Sequence, residues 1–171
     1  MDTTLSTIGD YNSAIEYTDR PTVKAVIQNE GKILILNGGL LPGGGVDAGE
    51  TNIQALYREL AEEIGATVGN VRPHGTIIQY RNILKRKYIV TGYSAELVSL
   101  GGRTKPQDDG EAQFVPTWAT FDKALEVIEN SIRNVSQKDM SNDANQGLLY
   151  NLMTSRELVN TIRYQASIVA G

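Results

Sequence analysis

The chain opens on a weakly patterned polar stretch, then turns to short β-branched and aliphatic runs in its middle and to helical periodicity at its end. Thr22 to Gln28 (TVKAVIQ) and Lys32 to Leu36 (KILIL) are apolar runs divided by Asn29-Glu30-Gly31, a sequence suited to a hairpin turn, so two strands are expected there. Gly75 to Arg81 (GTIIQYR) and Lys87 to Val98 predict two more, joined by a short basic connection. A glycine- and charge-rich loop, GGRTKPQDDGE, leads into EAQFVPTW, which predicts a further strand. Between these groups Ile53, Leu56, Leu60 and Ile64 recur at helical spacing. Thr51 and Gln54 have capping-box spacing, and Gly65 is suited to end that helix. From Thr120, a fair N-cap, the pattern is helical again, with Phe121, Leu125, Ile128 and Ile132 on one face. After the polar break RNVSQKDMSND a last stripe of Leu148, Leu152, Val159 and Ile162 predicts a helix from Asp143 to about Gln165. Its apolar face is too wide to leave in water, so it should pack on the domain or on a second subunit. The polar first twenty residues end in Arg20-Pro21 and read as a partly ordered arm. The sum is an α/β domain with a helical C-terminal extension.

Composition narrows the chemistry. At 171 residues the chain suits one domain with appendages and can bury a real core. Its formal net charge is -4 and it has no long run of lysines and arginines, so no extended nucleic acid is expected as a partner. A single nucleotide remains compatible, because a metal can screen it. The absence of cysteine excludes disulfides, thiolate metal sites and cysteine nucleophiles, and suits a cytoplasmic location. MDTTLSTIGD has neither the basic nor the apolar part of a signal peptide, and no apolar run approaches a bilayer span, so no membrane partner is expected.

The informative stretch is LLPGGGVDAGETNIQALYRELAEEIG, Leu40 to Gly65. Glu62 and Glu63 lie three and four positions after Glu59, so the three carboxylates share an arc beside the apolar stripe. Like charges at such spacings destabilise a helix, and Glu62 and Glu63 also approach the negative end of the dipole. Arg58 is the helix's only cation. A solvated acidic face and a divalent cation are both open on spacing alone; oxygen ligands of this kind suit magnesium. Gly43, Gly44 and Gly45 just before the helix let backbone approach a ligand and expose carbonyls and amides to metal or phosphate. No Gly-Lys-Ser/Thr follows, so this is not a Walker phosphate loop.

Together these residues resemble the Nudix box, a pattern of G, five residues, E, seven residues, then R-E-hydrophobic-x-E-E-x-G-hydrophobic. Gly44, Glu50, Arg58, Glu59, Leu60, Glu62, Glu63 and Gly65 fall in place, and Ala66 is a mild departure at the closing hydrophobic position. The resemblance implies the Nudix fold, an α/β/α sandwich on a mixed β-sheet, spanning residues 21–134, with an arm over 1–20 and a helical extension over 135–171 that packs on the same domain or on the partner of a homodimer. It implies metal-dependent hydrolysis of a diphosphate linkage in a small nucleotide substrate. By the same resemblance Glu59, Glu62 and Glu63 ligate Mg²⁺ or Mn²⁺ with a main-chain oxygen of Gly43, Arg58 holds a glutamate in place, and Glu50 supports the loop or the metal shell. Gly44 and Gly45 would present backbone to the substrate.

The general base is open between Glu59 and Glu111, the latter in QDDGEAQF, where Asp108 and Asp109 read as ordinary loop residues. His74, the only histidine, reads as structural. Tyr80, Arg81 and Arg86 are candidates to stack on a base or hold phosphate, or are plain strand surface. Marks of the family's ADP-ribose, dinucleoside polyphosphate, NADH and coenzyme A branches are absent, so a nucleoside triphosphate or nucleotide sugar is the default substrate. A non-catalytic nucleotide sensor on the same fold is the alternative. An isopentenyl diphosphate isomerase relative is excluded by the lack of cysteine.

Overall fold

The computed structural model describes residues 3–102 and 115–171. Seven strands form one mixed sheet: β1 (Thr4–Ile8), β2 (Thr18–Asn29), β3 (Lys32–Ile35), β4 (Gly43–Gly45), β5 (Ala66–Arg81), β6 (Arg86–Leu100) and β7 (Thr117–Ala119). Three α-helices accompany them, α1 (Asn52–Ile64), α2 (Phe121–Ser136) and α3 (Asp143–Ala170), with a 3₁₀ turn at Asn82–Leu84 between β5 and β6. The strand order is β1-β5-β6-β2-β3-β7, with β4 added to the N-terminal half of β2. Parallel pairing joins β1 to β5 and β2 to β6, whereas β5 and β6 form a long antiparallel hairpin. The sandwich implied by the resemblance is present, with helices on both faces of a mixed sheet.

Alternation along β2 explains the layers. Val23, Ala25 and Ile27 face α1 and join Leu56, Leu60 and Ile64 in one core. Val26, on the opposite face, joins Ile77, Val90, Ile128, Leu158 and Val159 in a second core beneath α2 and α3. The helix α1 starts where Thr51 and Gln54 exchange hydrogen bonds, Gln54 N to Thr51 Oγ1 at 3.2 Å and Thr51 N to Gln54 Oε1 at 2.9 Å. Gly65 ends it, its amide returning to the Ala61 carbonyl. Of the expected apolar stripe, Leu56, Leu60 and Ile64 are buried and Ile53 stays exposed.

Several elements differ from the sequence expectation. The arm, expected as partly ordered, carries β1, a parallel edge strand on β5, because Leu5 and Ile8 have apolar partners in the second core. β5 begins at Ala66 rather than Gly75, since irregular pairing across Gly69 to Arg72 and Pro73 to Gly75 lets polar residues and a proline stay within the ladder. Gly43–Gly45, read as a loop, is a short strand. α3 is longer than expected and lies on the same domain against α2, β5, β1 and β2.

Candidate active site

β4 is the centre of the site. Gly43 pairs with Lys24 in register, and its φ of +138° is a conformation that side chains rarely adopt. A Cβ there would also lie 2.0 Å from the Val23 carbonyl oxygen, so only glycine lets β4 approach β2 this closely. At Gly44 the space a Cβ would occupy is filled by the Glu59 carboxylate, whose atoms lie 2.4–2.6 Å from that position. At Gly45 the same space belongs to the Arg20 guanidinium.

The helix supplies its acidic arc from the other side. Glu63 Oε2 accepts a hydrogen bond from the Gly43 amide at 3.0 Å. Arg58 gathers the rest: Nη1 donates to Glu59 Oε1 at 2.7 Å and to Glu62 Oε2 at 3.4 Å, and Nη2 donates to the Gly45 carbonyl at 2.9 Å. Nε and Nη2 also grip both oxygens of Glu50. These contacts, with the Asp47 amide on Glu50 Oε2, hold the Glu50 carboxyl down at about 2, the Arg58 hydrogen bond being the largest cause. The same bond raises the basicity of Arg58 further above its usual value. Arg58 therefore ties the end of β4, the turn before α1 and two helix carboxylates into one unit.

Lys24 is a site residue that the motif does not name. Its Nζ donates to the carbonyl oxygens of Leu41 at 3.1 Å and Gly43 at 3.2 Å. Burial lowers its basicity, and the nearby charges of Glu63 and Glu59 oppose that shift. The sequence did carry a signal, a lysine inside an apolar strand run. Arg20 has a plainer position, exposed beside Gly45.

Other candidates fall elsewhere. Tyr80 and Arg81 lie on β5, separated from β4 by β6 and β2. Tyr80 packs with Tyr11 and Tyr17, ring centroids 5.3 and 5.1 Å away. Arg81 is buried beneath α3, where Nη2 donates to Asp143 Oδ1 at 2.9 Å. His74 bonds Ser94 Oγ and Gln165 Oε1, in keeping with a structural role. Glu111, Asp108 and Asp109 lie outside the described residues.

The donor set fits a hard divalent cation in kind: three carboxylates and one main-chain carbonyl, all oxygen, with a cradle at Gly44 that a side chain would fill. As placed, no three acidic or histidine side chains among the described residues are grouped to hold an ion. Arg58, Lys24 and the Gly43 amide answer their charges instead. Among the described residues no helix is long and apolar enough to cross a membrane.

Comparison with known proteins matches residues 18–138 to the NUDIX domain. A stretch of 31 residues is 61% identical to the RNA pyrophosphohydrolase of Aliivibrio fischeri (strain MJ11), and a stretch of the same length matches that of Aliivibrio salmonicida (strain LFI1238) equally well. Each match covers 18% of this chain and 18% of the relative, so only a short part of those proteins is represented. The NUDIX hydrolase from Nitrosomonas europaea superposes with a TM-score of 0.51 at 21% identity, over 81% of this chain and 91% of that one. The MutT NUDIX hydrolase from Burkholderia pseudomallei gives 0.50 at 23%, over 61% and 85%. At these identities the likeness is one of fold.

Proposed function

The chain belongs to the NUDIX family, and from that premise we propose that it hydrolyses the diphosphate linkage of a nucleoside diphosphate derivative, by attack of water on phosphorus with Mg²⁺ or Mn²⁺. A nucleoside triphosphate or nucleotide sugar is the default substrate. The observation that carries the reading is the meeting of Glu59 and Glu63 with the Gly43–Gly45 strand, fixed by Arg58.

Glu59, Glu62, Glu63 and the Gly43 carbonyl would hold the cation. When bound, it neutralises phosphate charge and lowers the pKa of a coordinated water. The chain's own contribution is positional. Arg58 keeps Glu59 against Gly44, where the carboxylate can accept a proton from water, and Glu111 is the second candidate for that role. Gly44 and Gly45 would present backbone to the substrate's phosphates, with the Arg20 guanidinium beside Gly45. Tyr80, beside Tyr11 and Tyr17, would offer an aromatic surface on which a base could stack.

The test is a screen of nucleoside triphosphates, nucleotide sugars and, because of the Aliivibrio relatives, an RNA with a 5′ triphosphate, each with Mg²⁺ and with products identified by mass. Reaction in ¹⁸O water should place solvent oxygen in a phosphate product. Product without that label overturns the hydrolytic reading, and tight nucleotide binding with no turnover favours a sensor.

A further inference from the structure

The cations around β4 are unequally placed. Arg58 is committed to the carboxylates of Glu50, Glu59 and Glu62, and Arg20 lies exposed beside Gly45. Lys24 is different, because it engages the Gly43 carbonyl oxygen, the main-chain atom that the proposed function gives to the metal. It is held there from several sides. Its register partners are Gly43 on β4 and Gly92 on β6, and Leu158 of α3 fills the space where a Cβ of Gly92 would stand. A second acceptor, the Leu41 carbonyl, keeps the ammonium pointed at the turn into β4. The carboxylates of Glu59 and Glu63 lie close enough to act on it through their charge.

We propose that Lys24 is a built-in competitor of the divalent cation, an ammonium that occupies the Gly43 carbonyl and balances Glu59 and Glu63 while no metal is bound. The inference rests on the metal-dependent reading. Like charges repel, and at the edge of a protein they do so more strongly than in water. Lys24 therefore weakens metal binding by the free protein. A diphosphate brings negative charge to the same place and offsets the ammonium, so nucleotide and metal should strengthen each other's binding, reciprocally.

The experiment measures Mn²⁺ affinity by the electron paramagnetic resonance of the free ion, without nucleotide, for the wild type, Lys24→Met, Lys24→Arg and Glu63→Gln. Lys24→Met is expected to bind Mn²⁺ about tenfold more tightly than the wild type, and Lys24→Arg, which keeps the charge, about as the wild type does. Metal-free Lys24→Met should melt at a lower temperature, because Glu59 and Glu63 lose their counter-charge, and its melting point should rise more on adding Mn²⁺. Should Lys24→Met fail to fold, Lys24→Gln serves in its place, with the same expected direction. Equal or weaker Mn²⁺ affinity in the folded neutral variant overturns the proposal. If the wild type binds Mn²⁺ and Glu63→Gln loses affinity, that outcome leaves the metal-dependent reading standing. No uptake of Mn²⁺ by either the wild type or folded Lys24→Met overturns the proposal, and no uptake by either with nucleotide present overturns the metal-dependent reading as well.

Discussion

Arg58 grips Glu50 at two points, Nε to Oε1 at 2.7 Å and Nη2 to Oε2 at 2.9 Å, across the turn that separates β4 from α1. Both partners come from the box, and their pairing fixes the approach of the glycine strand to the carboxylate helix. Because the folded-state value of the Glu50 carboxyl is depressed to about 2 from 4.5, its contribution to stability is complete above about pH 4.5. It declines as pH falls and is gone near pH 2. The melting-point difference between wild type and Glu50→Gln should therefore be largest at neutral pH and shrink steadily below pH 4.5. A difference that does not vary with pH would remove Glu50 from this role.

Gly44 and Glu59 make a sharper case. The three atoms nearest to a methyl at position 44 all belong to the Glu59 carboxylate, the far end of a side chain rather than backbone. Gly44→Ala should consequently fold with nearly unchanged stability while losing activity by about tenfold to a hundredfold, the range for a misdirected metal site. Gly45→Ala has the exposed Arg20 guanidinium as its nearest neighbour, at 2.9 Å, and should cost less. Urea unfolding and turnover, measured on both variants, check the contrast; equal activity in Gly44→Ala and wild type would show that the Glu59 position is immaterial.

How far the sequence reached depends on the range of each interaction. α1 was legible to the residue, because its cap, apolar stripe and terminal glycine are local signals that the tertiary structure did not override. The shared arc of Glu59, Glu62 and Glu63 was legible for the same reason, whereas the hold of Arg58 on a glutamate came from the resemblance alone; Arg58 meets Glu59 and Glu62 on the helix. Lys24 showed only as a lysine inside an apolar strand run, since its contact with the Gly43 carbonyl arises when β2 and β4 pair. The parallel edge strand β1 escaped too: its partner β5 lies some seventy residues away, and a short polar strand carries no periodicity strong enough to mark it. Arg81 was open between phosphate and plain strand surface, and its place beneath α3 could not be read locally, because it depends on a helix some sixty residues further on.

Glu62 and Glu63 occupy different surroundings, and neutralising them should have different effects. Glu63 accepts from the Gly43 amide and lies in the field of Lys24, whereas Glu62 meets Arg58 at 3.4 Å. If both hold the cation, Glu62→Gln and Glu63→Gln should each lower turnover by at least about tenfold to a hundredfold and move the Mg²⁺ dependence to higher concentration. Without metal, Glu63→Gln should melt earlier and Glu62→Gln should melt near the wild type. Wild-type activity at every point of an Mg²⁺ titration would return the arc to a solvated acidic face.

Arg81 and Asp143 separate a structural from a substrate role for the one basic candidate on β5 that is buried. The guanidinium donates to Asp143 Oδ1 at 2.9 Å in the first turn of α3, and the ring of Tyr88 lies 5.0 Å from its Cζ. Gly147, a turn further along α3, has no side chain where the guanidinium passes; a Cβ there would lie 2.3 Å from Nη2. Removing one partner of a fully buried pair costs about 3–5 kcal/mol, and a third of the Asp143 side chain is exposed, so roughly 2–3 kcal/mol is expected for Arg81→Met. The exposed pair of Lys123 and Glu126 is the control, with at most about 0.5 kcal/mol lost in Lys123→Met. Arg81→Met should also make the start of α3 more open to limited proteolysis, while KM and kcat measured well below its melting temperature stay at wild-type values. A KM raised tenfold with stability unchanged would mean instead that the guanidinium meets the substrate.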